Sequence, residues 1–152
     1  MSKVHKEGLI LLGPGSSTYK LVKVCMSGDV RDDFVVVHGM GAYKLHSYPM
    51  VNWNDARKIC MDEGGDAKML VDWLSRENVW ETWIGTHDMF EQGHWVTLKG
   101  EPLEKTGFDH WLPGEPDNAG GVEHCGVFVR TNGMNDLTCN SLSAYFCKIN
   151  LC

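Results

Sequence analysis

The chain has 152 residues, 43% of them hydrophobic, and a formal net charge of -6. That length makes one domain with a real core the default, and that apolar content excludes a disordered chain. The negative balance argues against nucleic acid or an anionic membrane as partner, since both require a basic face, and no apolar run approaches the roughly 18–20 residues of a membrane span.

Residues 1–17 read as a tail. Lys3 and Lys6 precede Gly8-Leu9-Ile10-Leu11-Leu12, which stops at Gly13-Pro14-Gly15. That run is short for the apolar core of a secretory leader, about 7–15 residues, so either a leader has been removed or this start is an alternative or engineered one. Thr18 to Cys25 carries the β-branched and aromatic residues of a strand and ends at Ser27-Gly28-Asp29. Phe34 to Val37 and Ala42 to His46 read as two further strands. A helix follows, capped by Asn52 or Asn54, with Trp53, Ala56 and Cys60 on one face. Gly64-Gly65 stops it, and a second helix spans Asp66 to about Asn78 with Met69, Leu70, Trp73 and Leu74 as its core stripe. From Trp80 onward short strands alternate with long loops: Trp83-Ile84-Gly85, His94 to Leu98, Gly126 to Arg130 and Ser143 to Cys147. Between them Glu101 to Val122 is rich in glycine, proline and charge, and a loop of that length is usually functional.

That loop and its surroundings concentrate oxygen ligands. Glu115, Asp117, Glu123 and Asp136 bring four carboxylates and Asn135 an amide oxygen, with Cys125 and Cys139 bracketing the second half. Hard anionic oxygens are what calcium requires, six to eight of them. The competing reading is a solvated acidic loop without metal. The six cysteines, at 25, 60, 125, 139, 147 and 152, point to disulfides and an oxidising compartment. No Cys-x-x-Cys pair suggests a structural zinc site.

Catalysis has little support. His87-Asp88 and Glu123-His124 are acid–base types, yet the chain lacks a nucleophile elbow, a P-loop and a His-Glu-x-x-His motif. Glu115 and Asp117 stand on one small loop and cannot flank a sugar ring as glycoside hydrolysis needs. No catalytic residue is assigned.

Taken in order, the helix ending at Cys60, Trp83-Ile84-Gly85, Trp95, Trp111 to Pro116, Cys125, Asn135-Asp136, Cys139 and Phe146-Cys147 resemble a C-type lectin-like domain over roughly Phe34 to Cys152. Tyr43 to His46 and Gly93 to Thr97 are most similar to insect haemolymph lectins of the immulectin group. The resemblance implies an α+β fold of two helices with small antiparallel sheets and a long calcium-binding loop. Residues 1–32 would form an extension with a strand, and residues 33–152 the carbohydrate-recognition domain. It implies disulfides Cys60–Cys147 and Cys125–Cys139. Cys25 and Cys152 remain, to join the two ends of the domain or to bond between chains. A possible homo-oligomer follows from that second option.

The resemblance places Glu115, Asp117, Glu123, Asn135 and Asp136 on one Ca²⁺. Glu115, Asp117, Glu123 and Asn135 also contact two sugar hydroxyls, and Pro116 is cis. It implies a secreted, non-enzymatic pattern-recognition lectin of haemolymph-like fluid, with microbial polysaccharide as its partner. Glu115 followed by Asp117 departs from the family, whose mannose-type members carry Asn at the second position and whose galactose-type members pair Gln with Asp. Four carboxylates around Ca²⁺ leave a formal charge of -2, and a hydroxyl between Asp117 and Glu123 meets two acceptors. Calcium binding with weak or unusual sugar preference is therefore expected, with Asn118 as a partial replacement donor. A second calcium would fall on Asp88, Gln92, Asn118 and His124, a poorly charged set expected to stay empty, with His124 read as a partly exposed loop residue. About ten residues of the usual strand and second helix are missing between Gly65 and Trp80. Trp83, Trp95 and Trp111 are assigned to the core, and Met134 to a position beneath the calcium turn. The rival to sugar recognition is a lectin-like domain that binds protein.

Overall fold

The structure is a computed structural model, which describes residues 4–11, 19–26, 35–37, 41–59 and 67–149. The chain divides into two compact units, one of residues 1–44 with 147–152 and the other of residues 45–146.

In the first unit, β1 (Val4–Leu11) and β2 (Tyr19–Met26) pair antiparallel with Val4 opposite Met26 and Leu11 opposite Tyr19. β3 (Val35–Val37) runs parallel to β1, and the start of β4 (Gly41–Val51) pairs antiparallel with β3. Within the expected tail, residues 4–11 thus form a strand. Lys6 and Glu7 conceal its propensity, and the ladder to β2 supplies what local sequence does not.

The second unit carries both helices and the strands that follow them, the last of these up to Phe146. α1 (Trp53–Ile59) begins at Asn52: its Oδ1 accepts the Asp55 N–H at 2.9 Å, while its Nδ2 donates to Asp55 Oδ2 at 3.0 Å. The first bond satisfies one orphan N–H of the first turn, and the second holds the capping side chain in place. Trp53 and Ala56 are buried, and the Trp53 indole donates to the Ile84 carbonyl at 3.0 Å. α2 (Ala67–Arg76) ends in a Schellman turn, with the Val79 N–H on the Leu74 carbonyl and the Asn78 N–H on that of Ser75. Asn78 supplies the left-handed residue, φ 53°. Leu74 and Val79 are both buried in the core, the apolar contact that accompanies such turns.

β5 (Glu81–His87) is central. It pairs parallel with β9 (Ser143–Ile149) and antiparallel with β7 (Glu123–Val129), which pairs in turn with β8 (Gly133–Thr138). Short β6 (Val96–Thr97) adds to the end of β5. The expected strand His94 to Leu98 shrinks to these two residues. Leu70, Leu74, Ile84, Trp95, Leu103, Phe128, Met134 and Phe146 form one core, with Trp73 and Trp111 packed partly buried against it. Trp83 is fully buried. The assignment of the tryptophans and Met134 to the interior holds.

Two boundaries that matter for the site differ from expectation. β7 starts at Glu123 rather than Gly126, so Glu123 and His124 stand on a strand, not in a loop. Asn135 and Asp136 lie inside β8, opposite Val127 and Gly126, instead of in a turn. Asn and Asp read as turn formers, but pairing with the apolar centre of β7 overrides that local tendency.

Candidate functional site

The loop between Trp111 and Glu123 is fastened to β8 by backbone bonds. The Met134 N–H donates to the His110 carbonyl at 2.8 Å, the Leu112 N–H donates to the Met134 carbonyl at 2.9 Å, and the Glu115 N–H to the Leu112 carbonyl at 2.9 Å. Glu115-Pro116 is cis, as the resemblance implied. The Cys125–Cys139 disulfide is present, and the Cys139 carbonyl also accepts the Trp53 N–H at 3.0 Å. Closing a loop of that size contributes about 3 kcal/mol in the chain-entropy model. Cys147 is disulfide-bonded. Its expected partner Cys60, and Cys152, the candidate partner of Cys25, lie outside the described residues, so the Cys60–Cys147 and Cys25–Cys152 pairings do as well.

On this base the carboxylates converge. One oxygen each from Glu115, Asp117 and Asp136 lie within 4.8 Å of one another. Asp136 is fully buried. Its oxygens accept the backbone N–H groups of Asp117 at 3.3 Å and Asn118 at 2.8 Å. Glu115 Oε2 accepts the Asp117 N–H at 3.1 Å. Glu123 joins through one shared donor: the Ala119 N–H lies 3.0 Å from Asp117 Oδ1 and 3.1 Å from Glu123 Oε2. Asn118, at φ 47°, turns the chain so that its Oδ1 accepts the Glu123 N–H at 3.0 Å. Asn135 is half-buried next to Asp136 on β8.

The electrostatics follow from crowding. Burial pushes the Glu115 carboxyl above the usual range, and the neighbouring Asp117 and Asp136 charges push it further. Glu123 is raised by burial, opposed by the Ala119 N–H and reinforced by Asp136 and Asp117. Like charges held together in this way relax when a cation enters or a proton is taken up.

Three of the four positions considered for a second ion, Asp88, Asn118 and His124, are engaged with protein groups. Asp88 is buried; its Oδ1 lies 2.8 Å from His124 Nδ1 and its Oδ2 accepts the Gly93 N–H at 2.7 Å. Asn118 serves Glu123, and Gln92 is exposed. The sequence groups Asp88 and His124 only as members of that second ion set; that the two side chains meet directly is set by the pairing of β5 with β7. The buried His87, read from the sequence only as an acid–base type, accepts the Met89 N–H on Nδ1 at 3.3 Å, and its ring meets Trp53 and Phe90 edge-on at 5.5 and 5.0 Å.

Residues 50–149 match the lectin C-type domain. Over 129 residues the chain is 36% identical to a hemolymph lipopolysaccharide-binding protein of Periplaneta americana, covering 74% of this chain and 50% of that protein. It is 39% identical to salivary C-type lectin 2 of Aedes albopictus over 121 residues, 65% of this chain and 78% of the relative. The chain spans about half the length of several curated relatives it matches. Among solved structures, the lectin CEL-I of Cucumaria echinata superposes with a TM-score of 0.66 at 20% identity, over 81% of this chain and 99% of that one. The carbohydrate-recognition domain of cow CD23 does so at 0.64 and 23% identity, over 83% and 100%. At those identities the structures speak for the fold alone.

Proposed function

We propose, for a chain that belongs to the C-type lectin domain family, calcium-dependent recognition of glycans, with microbial surface polysaccharide as the ligand class. The chain is a lectin-type binding protein and not an enzyme. The observation that carries the calcium reading is the meeting of Glu115, Asp117 and Asp136 within 4.8 Å, inside the segment that matches the family. Clustered carboxylate and amide oxygens suit a hard dication. Glu115, Asp117, Glu123, Asn135 and Asp136 would hold it, and all but Asp136 would also contact the sugar. A bound Ca²⁺ supplies coordination positions that neighbouring sugar hydroxyls fill.

The name of the Periplaneta americana relative, a lipopolysaccharide binder of hemolymph, supports the polysaccharide target and secretion, and the salivary origin of the Aedes albopictus relative supports secretion. The Cys125–Cys139 bridge agrees with an oxidising compartment. No helix among the described residues is long and apolar enough to cross a membrane. We take residues 33–152 as the recognition domain, and weak single-site affinity as compensated by repetition on a microbial surface.

Protein binding is the second reading. It is favoured by Asp117, which stands beside Glu123 where a hydroxyl needs one donor and one acceptor. A polysaccharide column decides: retention in calcium and release by EGTA supports the lectin reading, while absence of retention on any glycan removes it. Calcium at 100 times its dissociation constant should add about 2.7 kcal/mol of stability, and no thermal shift at millimolar calcium removes the metal site.

A further inference from the structure

We propose that His124 and Asp88 are positioning residues for the calcium–glycan site, aiming Glu123 by locking the bulge at the start of β7. The inference rests on the reading of Glu123 as a calcium ligand. Between Glu123 and Cys125 the pairing with β8 shifts register, from Glu123 opposite Thr138 to Cys125 opposite Leu137. His124 is the extra residue of that bulge. A bulged residue is left out of the ladder, and the strand bends there, so ladder bonds to β8 alone do not set the direction in which Glu123 leaves the sheet.

Asp88 fixes the bulge from the other side at two points. Its own N–H donates to the His124 carbonyl at 3.1 Å, and its Oδ1 receives the His124 ring at 2.8 Å. With Nδ1 carrying the hydrogen, the neutral imidazole is the donor, so the contact needs no charge on the histidine. The Asp88 side chain is only 3% exposed, which keeps water from competing for Oδ1. Its second oxygen is occupied by the Gly93 N–H at 2.7 Å, so the carboxylate is itself held from both ends and cannot swing away. Glu123 then extends from a backbone clamped on both flanks, by Asp88 through His124 and by Asn118 Oδ1 on its own N–H. Of the four carboxylates assigned to the ion, Glu123 is the one outside the tight Glu115–Asp117–Asp136 group. It is therefore the ligand whose approach depends most on outside support.

The test is calorimetric titration of CaCl₂ into metal-free full-length protein, with the thermal midpoint in EGTA as a second readout. His124→Ala should weaken calcium binding by about 10- to 100-fold, the usual range for losing a group that orients a metal ligand, with a much smaller effect on the EGTA midpoint. His124→Asn places an amide nitrogen near the Nδ1 position and should recover most of the affinity. Asp88→Ala, which takes the carboxylate from both the His124 ring and the Gly93 N–H, should match or exceed His124→Ala. Wild-type affinity in His124→Ala overturns the proposal. So does failure of His124→Asn to rescue, or an affinity loss that tracks the loss of midpoint in EGTA. A wild-type protein that binds no calcium removes the reading of the site itself, a different result from unchanged affinity in the variant.

Discussion

The substitution Asp117→Asn exchanges one oxygen for one NH₂ and pulls three properties in different directions. Without calcium, Asp117 sits within 4.8 Å of carboxylate oxygens on Glu115 and Asp136. Each such pair of unit charges repels by roughly 1 kcal/mol even in bulk water. Relief of about 2 kcal/mol should raise the midpoint in EGTA by roughly 4–8 °C for a chain of this size, measured at low salt where screening is least. Calcium affinity should fall, because the ion loses one of four anionic ligands. Sugar binding should strengthen. The Ala119 N–H can stay on the oxygen of the new carboxamide, as it now is on Asp117 Oδ1, leaving the NH₂ free to donate to a hydroxyl that otherwise meets only acceptors. A hydrogen bond to a charged or calcium-polarised group is worth about 1.5–3 kcal/mol, or roughly 10- to 150-fold in affinity. Titrations with calcium, then with a monosaccharide panel at saturating calcium, separate these effects. Sugar affinity unchanged while calcium still binds would refute the donor count, and an unchanged EGTA midpoint would refute the crowding argument.

Calcium binding should be coupled to proton release on the acid side of neutrality. Glu115 and Glu123 hold protons more tightly than an ordinary carboxyl near 4.5, and the ion requires them ionised. Affinity should therefore fall as pH drops toward that value; titration in buffers of different ionisation heat gives the proton count, and zero protons released near pH 5 contradicts the crowding. His87 is shifted the other way: burial holds its pKa below 6.5, so the unfolded chain binds more protons and stability also declines as pH falls through 6.5. Urea midpoints should show this in the wild type and a flatter profile in His87→Gln. Gly133→Ala should cost about 1–3 kcal/mol by overpacking, since its Cβ would sit 2.6 Å from Leu112 Cδ2 and 3.2 Å from the Leu112 backbone nitrogen. Because Leu112 anchors the loop that carries Glu115, calcium affinity should fall too; a stable variant with native affinity would show that the loop base moves freely. Removing Cys125 and Cys139 together should lower stability by about 3 kcal/mol, read from denaturant midpoints under oxidising conditions.

Much of the fold and the chemistry of the loop was legible in the residues. Asn52 before Trp53, the Leu70–Leu74 stripe, the buried Trp83 and the oxygen-rich run from Glu115 all express local rules: capping, helical period and ligand hardness. The order of the tryptophans, cysteines and Glu115-Pro116 then pointed to one family. What local rules could not supply was anything set by pairing across the sheet. Val4 to Leu11 became a strand because β2 offered a ladder. Asn135 and Asp136 became strand residues because β7 lay alongside. The bulge at His124, its meeting with Asp88 across 36 positions of sequence, and the sharing of one Ala119 N–H between Asp117 and Glu123 arise only when separate segments are brought together. Local conformational preferences are worth tenths of a kcal/mol per residue. Burial and ladder bonding of a whole strand outweigh them, and so tertiary packing, not sequence pattern, decided where each carboxylate points.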